Sequence, residues 1–278
     1  MKKLPVVFAL AALSICVGCG NPWVRDITDE LYEDEAVQKM DEEDFGPNPI
    51  ITGTFNVKSE SEWAAAVNAI GNGNYIINVS GNISTYNNLS LTSFSPGERR
   101  VVSLRGNGTI QKSGSGPLIS IGSSGGLNCK VVMRGTTLKG GDSAPVSCEN
   151  DGEFVLRSGS IQDTMSIYWG GGVFVNVGSF TMYGGRIYNN SSAVDGGGVF
   201  LNVGSFTMYG GEIYGNIAGG GGGGVFVDSW GIFDLVSPAV PGIAGNIRNN
   251  NDSGSGMPNV FDNGGTINVH GTLTPGGW

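Results

Sequence analysis

Apolar and polar positions alternate at period two through the middle of this chain. Val173 and Val175 alternate with Phe174 and Asn176, and Phe180 and Met182 alternate with Thr181 and Tyr183. β-Branched and aromatic residues dominate these stretches, and glycine pairs break them up, which predicts short strands joined by tight turns. No helical period intervenes, so a horseshoe with one helix per repeat is not expected.

The pattern recurs. Gly170–Asn190 returns almost residue for residue as Gly196–Asn216, and a third copy opens at Gly222 and drifts after Asp228. Val173, Val199 and Val225 follow one another at a constant spacing of 26. Phe154-Val-Leu-Arg precedes Phe180-Thr-Met-Tyr at the same spacing, and Val131-Val-Met-Arg comes before that at a spacing of 23. Val102-Ser-Leu-Arg looks like the same element. A fixed period of this size signals a solenoid, in which each repeat buries its apolar face against its neighbours. About three short strands per repeat predict an all-β chain wound as a parallel β-helix, with coils stacked roughly 4.8 Å apart. Downstream, Ile243-Ala-Gly-Asn246 echoes Ile213-Tyr-Gly-Asn216 at a spacing of 30, predicting a short insertion. Relative to the regular spacing, that insertion would be about four positions long. Thr266–His270 reads as a last strand.

The repeated Gly-Gly-Gly-Val-Phe, followed by Ile-Tyr-Asn-Asn or Ile-Tyr-Gly-Asn, is similar to the GGA-aliphatic and FxxN repeats of polymorphic outer-membrane and other bacterial surface proteins. It has Ile-Tyr where those have Phe. Over roughly residues 100–250 the chain resembles the pectate-lyase-like right-handed parallel β-helix superfamily. The resemblance implies a right-handed coil over 50–278, with the regular repeats at about 146–228. Its motifs specify architecture better than activity.

The ends read differently. Met1-Lys-Lys is followed by an apolar run of about 14 residues, short of the roughly 20 that span a bilayer. Small residues precede Cys19, although Cys16 stands where lipoprotein signals carry an aliphatic residue. Residues 1–18 thus resemble a lipoprotein-type signal peptide, an ordinary secretory signal being the alternative. The resemblance implies that Cys19 is lipidated, anchoring the chain at the bacterial cell envelope, at the outer membrane, with the membrane as a partner. Residues 19–49 read as an acidic tether rather than a calcium site: ten acids in 25–44 stand against Arg25 and Lys39, without ligand spacing. Ser59 and Glu62 form a capping box opening a helix over about 60–70, with Trp63, Val67 and Ile70 on one face and Gly71 ending it. A β-helix exposes a sticky coil edge at its end, so this helix is expected to cap it, with Trp63 as the plug.

Composition removes several function classes. The net charge is −9, yet residues 45–278 hold 14 acids and 11 bases, a nearly neutral body without the basic stripe that nucleic acid requires. Gly71-Asn-Gly-Asn74 and Gly219–Gly224 lack the lysine and strand-to-helix context of phosphate loops. His270 is the one histidine, and neither Asp163 nor Asp195 meets an acid in the equivalent coil positions. Glycoside cleavage needs paired carboxylates, so no catalytic residue, metal or cofactor is predicted.

Equivalent positions fall into lines along the coils. Asn150, Asn176, Asn202 and Asp228 make one, read as a structural asparagine ladder bonding the coils above and below. With the valines facing in, Phe174, Phe200 and Phe226 face out, as do Tyr183 with Tyr209 and Tyr188 with Tyr214. Such rows either stabilise the coil by stacking alone or also offer a flat face to a glycan or another surface protein. The expected function is a non-catalytic, lipid-anchored cell-envelope protein acting in adhesion, glycan or surface interaction. The alternative, a polysaccharide lyase or hydrolase-like enzyme, is supported by fold resemblance alone.

Cys129 and Cys148 remain. Export favours a disulfide, but the shorter step between Val131 and Phe154 places Gly152, four residues past Cys148, opposite Cys129. Four extended residues are roughly 13 Å, against about 7 Å for bridged Cα atoms. Free thiols are expected.

Overall fold

The computed structural model describes residues 38–92, 98–122, 129–236, 246–248, 250–252 and 259–270. Residues 1–18, read above as resembling a signal peptide, and Cys19 lie outside these. The chain divides into two units at Pro49. In the first, residues 38–45 form a helix, α1, so part of the acidic stretch is helical. It ends at Gly46, whose φ of 97° suits a glycine and whose amide donates to the Glu42 carbonyl at 2.9 Å.

The second unit is a right-handed parallel β-solenoid of about six turns, about 27 residues per turn. Its described strands form sheets of 13, seven and four members. Register fixes each coil: Leu104 pairs with Met133, Met133 with Leu156, Leu156 with Met182, and Met182 with Met208. The coil from Met133 to Leu156 is thus the short one and the next two are equal, as the aligned segments Val102, Val131, Phe154 and Phe180 predict. The late insertion differs from expectation. Ile213 pairs with Ile247, not Ile243, so the coil gained eight positions over the regular repeat rather than four. Ile247 is buried and continues the core line after Ile213, while Ile243 lies outside the described residues.

The first sheet forks. In the early coils two separate strands serve it, as in Val146–Glu149 and Glu153–Leu156, joined by a turn at Asn150 and Asp151, both at positive φ. In the regular repeats the turn contracts to a bulge, and Val173–Met182 and Val199–Met208 run through it as ten-residue strands. Val177, with φ of 60°, sits at that bulge.

The core is built in vertical lines. Phe154, Phe180, Phe206 and Phe233 are fully buried and stack in sequence at centroid distances of 5.4, 4.5 and 4.8 Å. Ile83, Ile110, Leu138, Ile161, Ile187 and Ile213 line the second sheet. Each such side chain contributes about 1.5–3 kcal/mol by leaving water. The Gly-Gly-Gly motif has a steric cause: a Cβ at Gly197 would lie 2.5 Å from the carbonyl oxygens of Gly223 and Ile217, and one at Gly198 2.6 Å from that of Gly224. Only glycine lets consecutive coils approach this closely.

Helix α2, Glu60–Ala69, packs on Gly53–Val57 and Asn82–Thr85, the first strands of their sheets. The Glu62 amide donates to Ser59 Oγ at 3.4 Å, while Glu62 Oε2 accepts from the Lys58 amide at 2.9 Å, one residue earlier than a capping box requires. Trp63 is fully buried in the core cluster, and its Nε1 donates to the Asn87 carbonyl at 3.2 Å. The helix therefore covers the open end, as the apolar face predicts. Cys129 and Cys148 are both free and buried.

Candidate functional site

The predicted asparagine line is not the buried ladder. Asn150 is exposed in a left-handed turn, Asn176, Asn202 and Asp228 are half-buried, and the bonds along the line are single contacts. Asn202 Nδ2 donates to Asn176 Oδ1 at 2.9 Å, and Asn263 Nδ2 to Asp228 Oδ1 at 3.0 Å. Asn150 lies in the turn between two strands, and Asn176 lies at the register irregularity before Gly178. The buried ladder is Asn190, Asn216, Asn250 and Asn259, the first three being the last residue of the Ile-Tyr-Asn-Asn motif and its equivalents. Asn190 donates from both its backbone N and Nδ2 to Asn216 Oδ1, each at 3.0 Å, and Asn216 repeats this towards Asn250. The Nδ2 groups of Asn190, Asn216 and Asn250 also donate back to carbonyls of the preceding coil, those of Ile161, Ile187 and Ile213. Just before it, Asp163, Asn189 and Gly215 all adopt positive φ, the left-handed corner that Asp, Asn and Gly tolerate. Asp163 there accepts from Lys139 Nζ at 2.8 Å.

The phenylalanine row also departs from expectation. Phe200 and Phe226 are each only 5% exposed, and Phe174 is half-buried. They stack at 5.7 and 5.1 Å, and the row continues to Phe261. Gly196 and Gly222 lie against the row, since a Cβ on either would come within 2.9 Å of Phe200 or Phe226. The loops of the glycine motif fold back over these residues, so the row is not a free face.

The tyrosine rows are open. Tyr183 and Tyr209 are 44% and 40% exposed and stack at 4.9 Å with an interplanar angle of 5°. Tyr188 and Tyr214, half-buried, stack at 5.1 Å and 4°. Arg157 caps the first pair, 4.5 Å above the Tyr183 ring, and Arg248 the second, 4.8 Å above Tyr214. Burial, then the neighbouring Tyr214, pushes the Tyr188 phenol up from its ordinary value. Beside Tyr188 the corner glycines Gly159 and Gly185, with Thr137, Ser160, Arg186 and Glu212, line a groove of about 480 Å³. Glu212 accepts from Arg248 at 2.9 Å and pairs with Arg186 at 3.3 Å. Gly185 belongs to the Tyr-Gly-Gly repeat and Gly159 holds the equivalent place one coil earlier, both at positive φ.

Among the described residues no group of three or more His, Cys, Asp or Glu side chains could hold a metal ion. A separate aromatic group, Tyr168 and Trp169, projects from the loop before Gly170 and is 54% and 47% exposed. The repeat pattern does not reveal it, because it belongs to one coil and has no counterpart in the next. Compared with protein-family models, curated proteins and solved structures, the chain matches none of them.

Proposed function

We propose that this protein is a non-catalytic, lipid-anchored cell-envelope β-helix that binds glycan through its outward tyrosine rows. The observation that carries this reading is the two tyrosine stacks, one exposed at Tyr183 and Tyr209 and the other reaching the groove through Tyr188. Flat apolar rings beside hydroxyl and charged groups suit a sugar, which has a C–H face and a hydroxyl edge. The lipoprotein reading rests on the sequence before Cys19 and on the repeat motifs' likeness to bacterial surface proteins of the pectate-lyase-like superfamily. A glycan array should give hits that lose intensity in Tyr183→Ala/Tyr209→Ala, and assays for reducing ends and unsaturated sugars should detect no product. Turnover would make the protein an enzyme instead, and a blank array would remove the glycan reading. Mass spectrometry of membrane-associated material should find acylated Cys19, and Cys19→Ala should release it.

A further inference from the structure

The Tyr168–Trp169 loop is the first of a graded series. Ile167-Tyr168-Trp169 is replaced one repeat later by Ala193-Val194-Asp195 and then by Gly219-Gly220-Gly221. On its other side the preceding coils supply Pro117, Ser143 and Ala144. Large rings therefore stand next to small residues, and the step between them is a cleft of about 260 Å³. Trp169 and Tyr168 line it together with Phe174, Ser147 and Glu149.

The aromatic wall is fixed in place before any ligand arrives. The Ile167 amide donates to the Asp142 carbonyl at 3.0 Å, and the Gly170 amide to that of Asp195 at 3.0 Å. Ser192 Oγ donates to the Tyr168 carbonyl at 2.6 Å, and the Trp169 ring leans on Phe200 at 6.1 Å. A preformed wall spares the ligand the cost of ordering it.

The cleft also lies where one line of the solenoid changes character. Ser90, Ser120 and Ser147 occupy that line in the early coils, and Phe174, Phe200 and Phe226 continue it. A ligand seated at the junction meets rings on one side and hydroxyls on the other. Glu149, whose Oε1 accepts from Ser147 Oγ at 2.8 Å, is the one charged residue lining the cleft. A carboxylate with no basic neighbour in the lining disfavours an anionic guest.

We infer that this cleft is a subsite for a neutral pyranose, its C–H face against Trp169 and its hydroxyls towards Ser147 and Glu149. The inference rests on the glycan-binding reading and adds to it a place and a sugar class. It is separate from the tyrosine rows, so the test removes the exposed row, Tyr183 and Tyr209, first.

In the Tyr183→Ala/Tyr209→Ala background, cellohexaose, maltohexaose, mannohexaose and hexagalacturonate are titrated by calorimetry. At least one neutral hexasaccharide is expected to bind, with hexagalacturonate weaker. Adding Trp169→Ala should weaken that binding about tenfold, Trp169→Phe should retain most of it, and melting temperatures should not move. Glu149→Gln should narrow the gap between the neutral and uronate probes, an effect a merely structural Glu149 would not produce. Affinity unchanged by Trp169→Ala, or binding that disappears with the tyrosines, would overturn the cleft and leave the tyrosine platform standing. Preference for hexagalacturonate would overturn the sugar class. Failure of every probe on the wild-type chain would remove both readings.

Discussion

Asn216 Nδ2 donates to Asn250 Oδ1 at 2.9 Å, bridging two coils, and Asn216 is fully buried. That one acceptor also takes the backbone amide of Asn216, so a single side chain satisfies two donors of the preceding coil. Asn216→Leu removes the acceptor of the Asn190 donors and the bond to the Ile187 carbonyl. Each buried polar group left without a partner costs about 1–3 kcal/mol, so a loss of several kcal/mol is expected. Asn176→Leu, at a half-buried position with one inter-coil side-chain bond, should cost about 1 kcal/mol. Urea melts of the two variants check the order; equal losses would place the structural ladder on both lines.

The end cap gives a second test. Trp63 is fully buried and joins α2 to the first coil through both packing and its bond to Asn87. Trp63→Ala should cost about 3–5 kcal/mol and uncover the first strand, Gly53–Val57, whose outer edge has no strand partner among the described residues. Size-exclusion chromatography should then show concentration-dependent association. A variant that stays monomeric and melts like the wild type would mean the helix is dispensable.

Much of the fold was legible in the sequence, because stacking at fixed register makes sequence period and spatial neighbourhood the same thing. Val173, Val199 and Val225 could be aligned by counting, and so could the irregular step from Val131 to Phe154. Counting aligns residues without saying which way a turn points. Asn176 and Asn190 both recur one repeat later, as Asn202 and Asn216, yet the first, beside the bulge at Val177, is half-buried and the second, after the left-handed corner at Asn189, is buried. Phe200 alternates as an outward residue should, yet Gly196 folds over it, a contact between a strand and the loop preceding it that period two does not encode. Trp169 was invisible for the opposite reason: a feature present in a single coil has no period.

Gly197 tests the steric account of the glycine motif. Its hypothetical Cβ meets backbone carbonyls of two segments, Gly223 and Ile217, and neither can move without shifting a coil. Gly197→Ala should therefore destabilise by about 1–3 kcal/mol, the range for overpacking. Gly116→Ala is the control: that glycine has open space around its Cβ position, and only its φ of 80° opposes the change. Thermal melts that rank the two equally would show that backbone conformation, not coil spacing, selects the glycines.

The last test concerns the thiols. Burial pushes the Cys148 thiol far above its ordinary value, and the carboxylates of Glu149 and Glu153 add to it; burial also raises Cys129. In the unfolded chain both ionise near about pH 8.5–9. Below that range folded and unfolded states are equally protonated, and the thiols impose no pH dependence. Above it the unfolded state gains thiolates that the folded state cannot form, so stability falls as pH rises. The urea midpoint should therefore decline between about pH 8 and pH 10, and Cys148→Ala should decline less steeply than the wild type. Native protein should react slowly with a thiol reagent at about pH 8, whereas denatured, unreduced protein should release two equivalents from Cys129 and Cys148. Finding none of these thiols until reductant is added would mean that the two sulfurs are bridged and that this short coil is wound differently at Asn150 and Asp151.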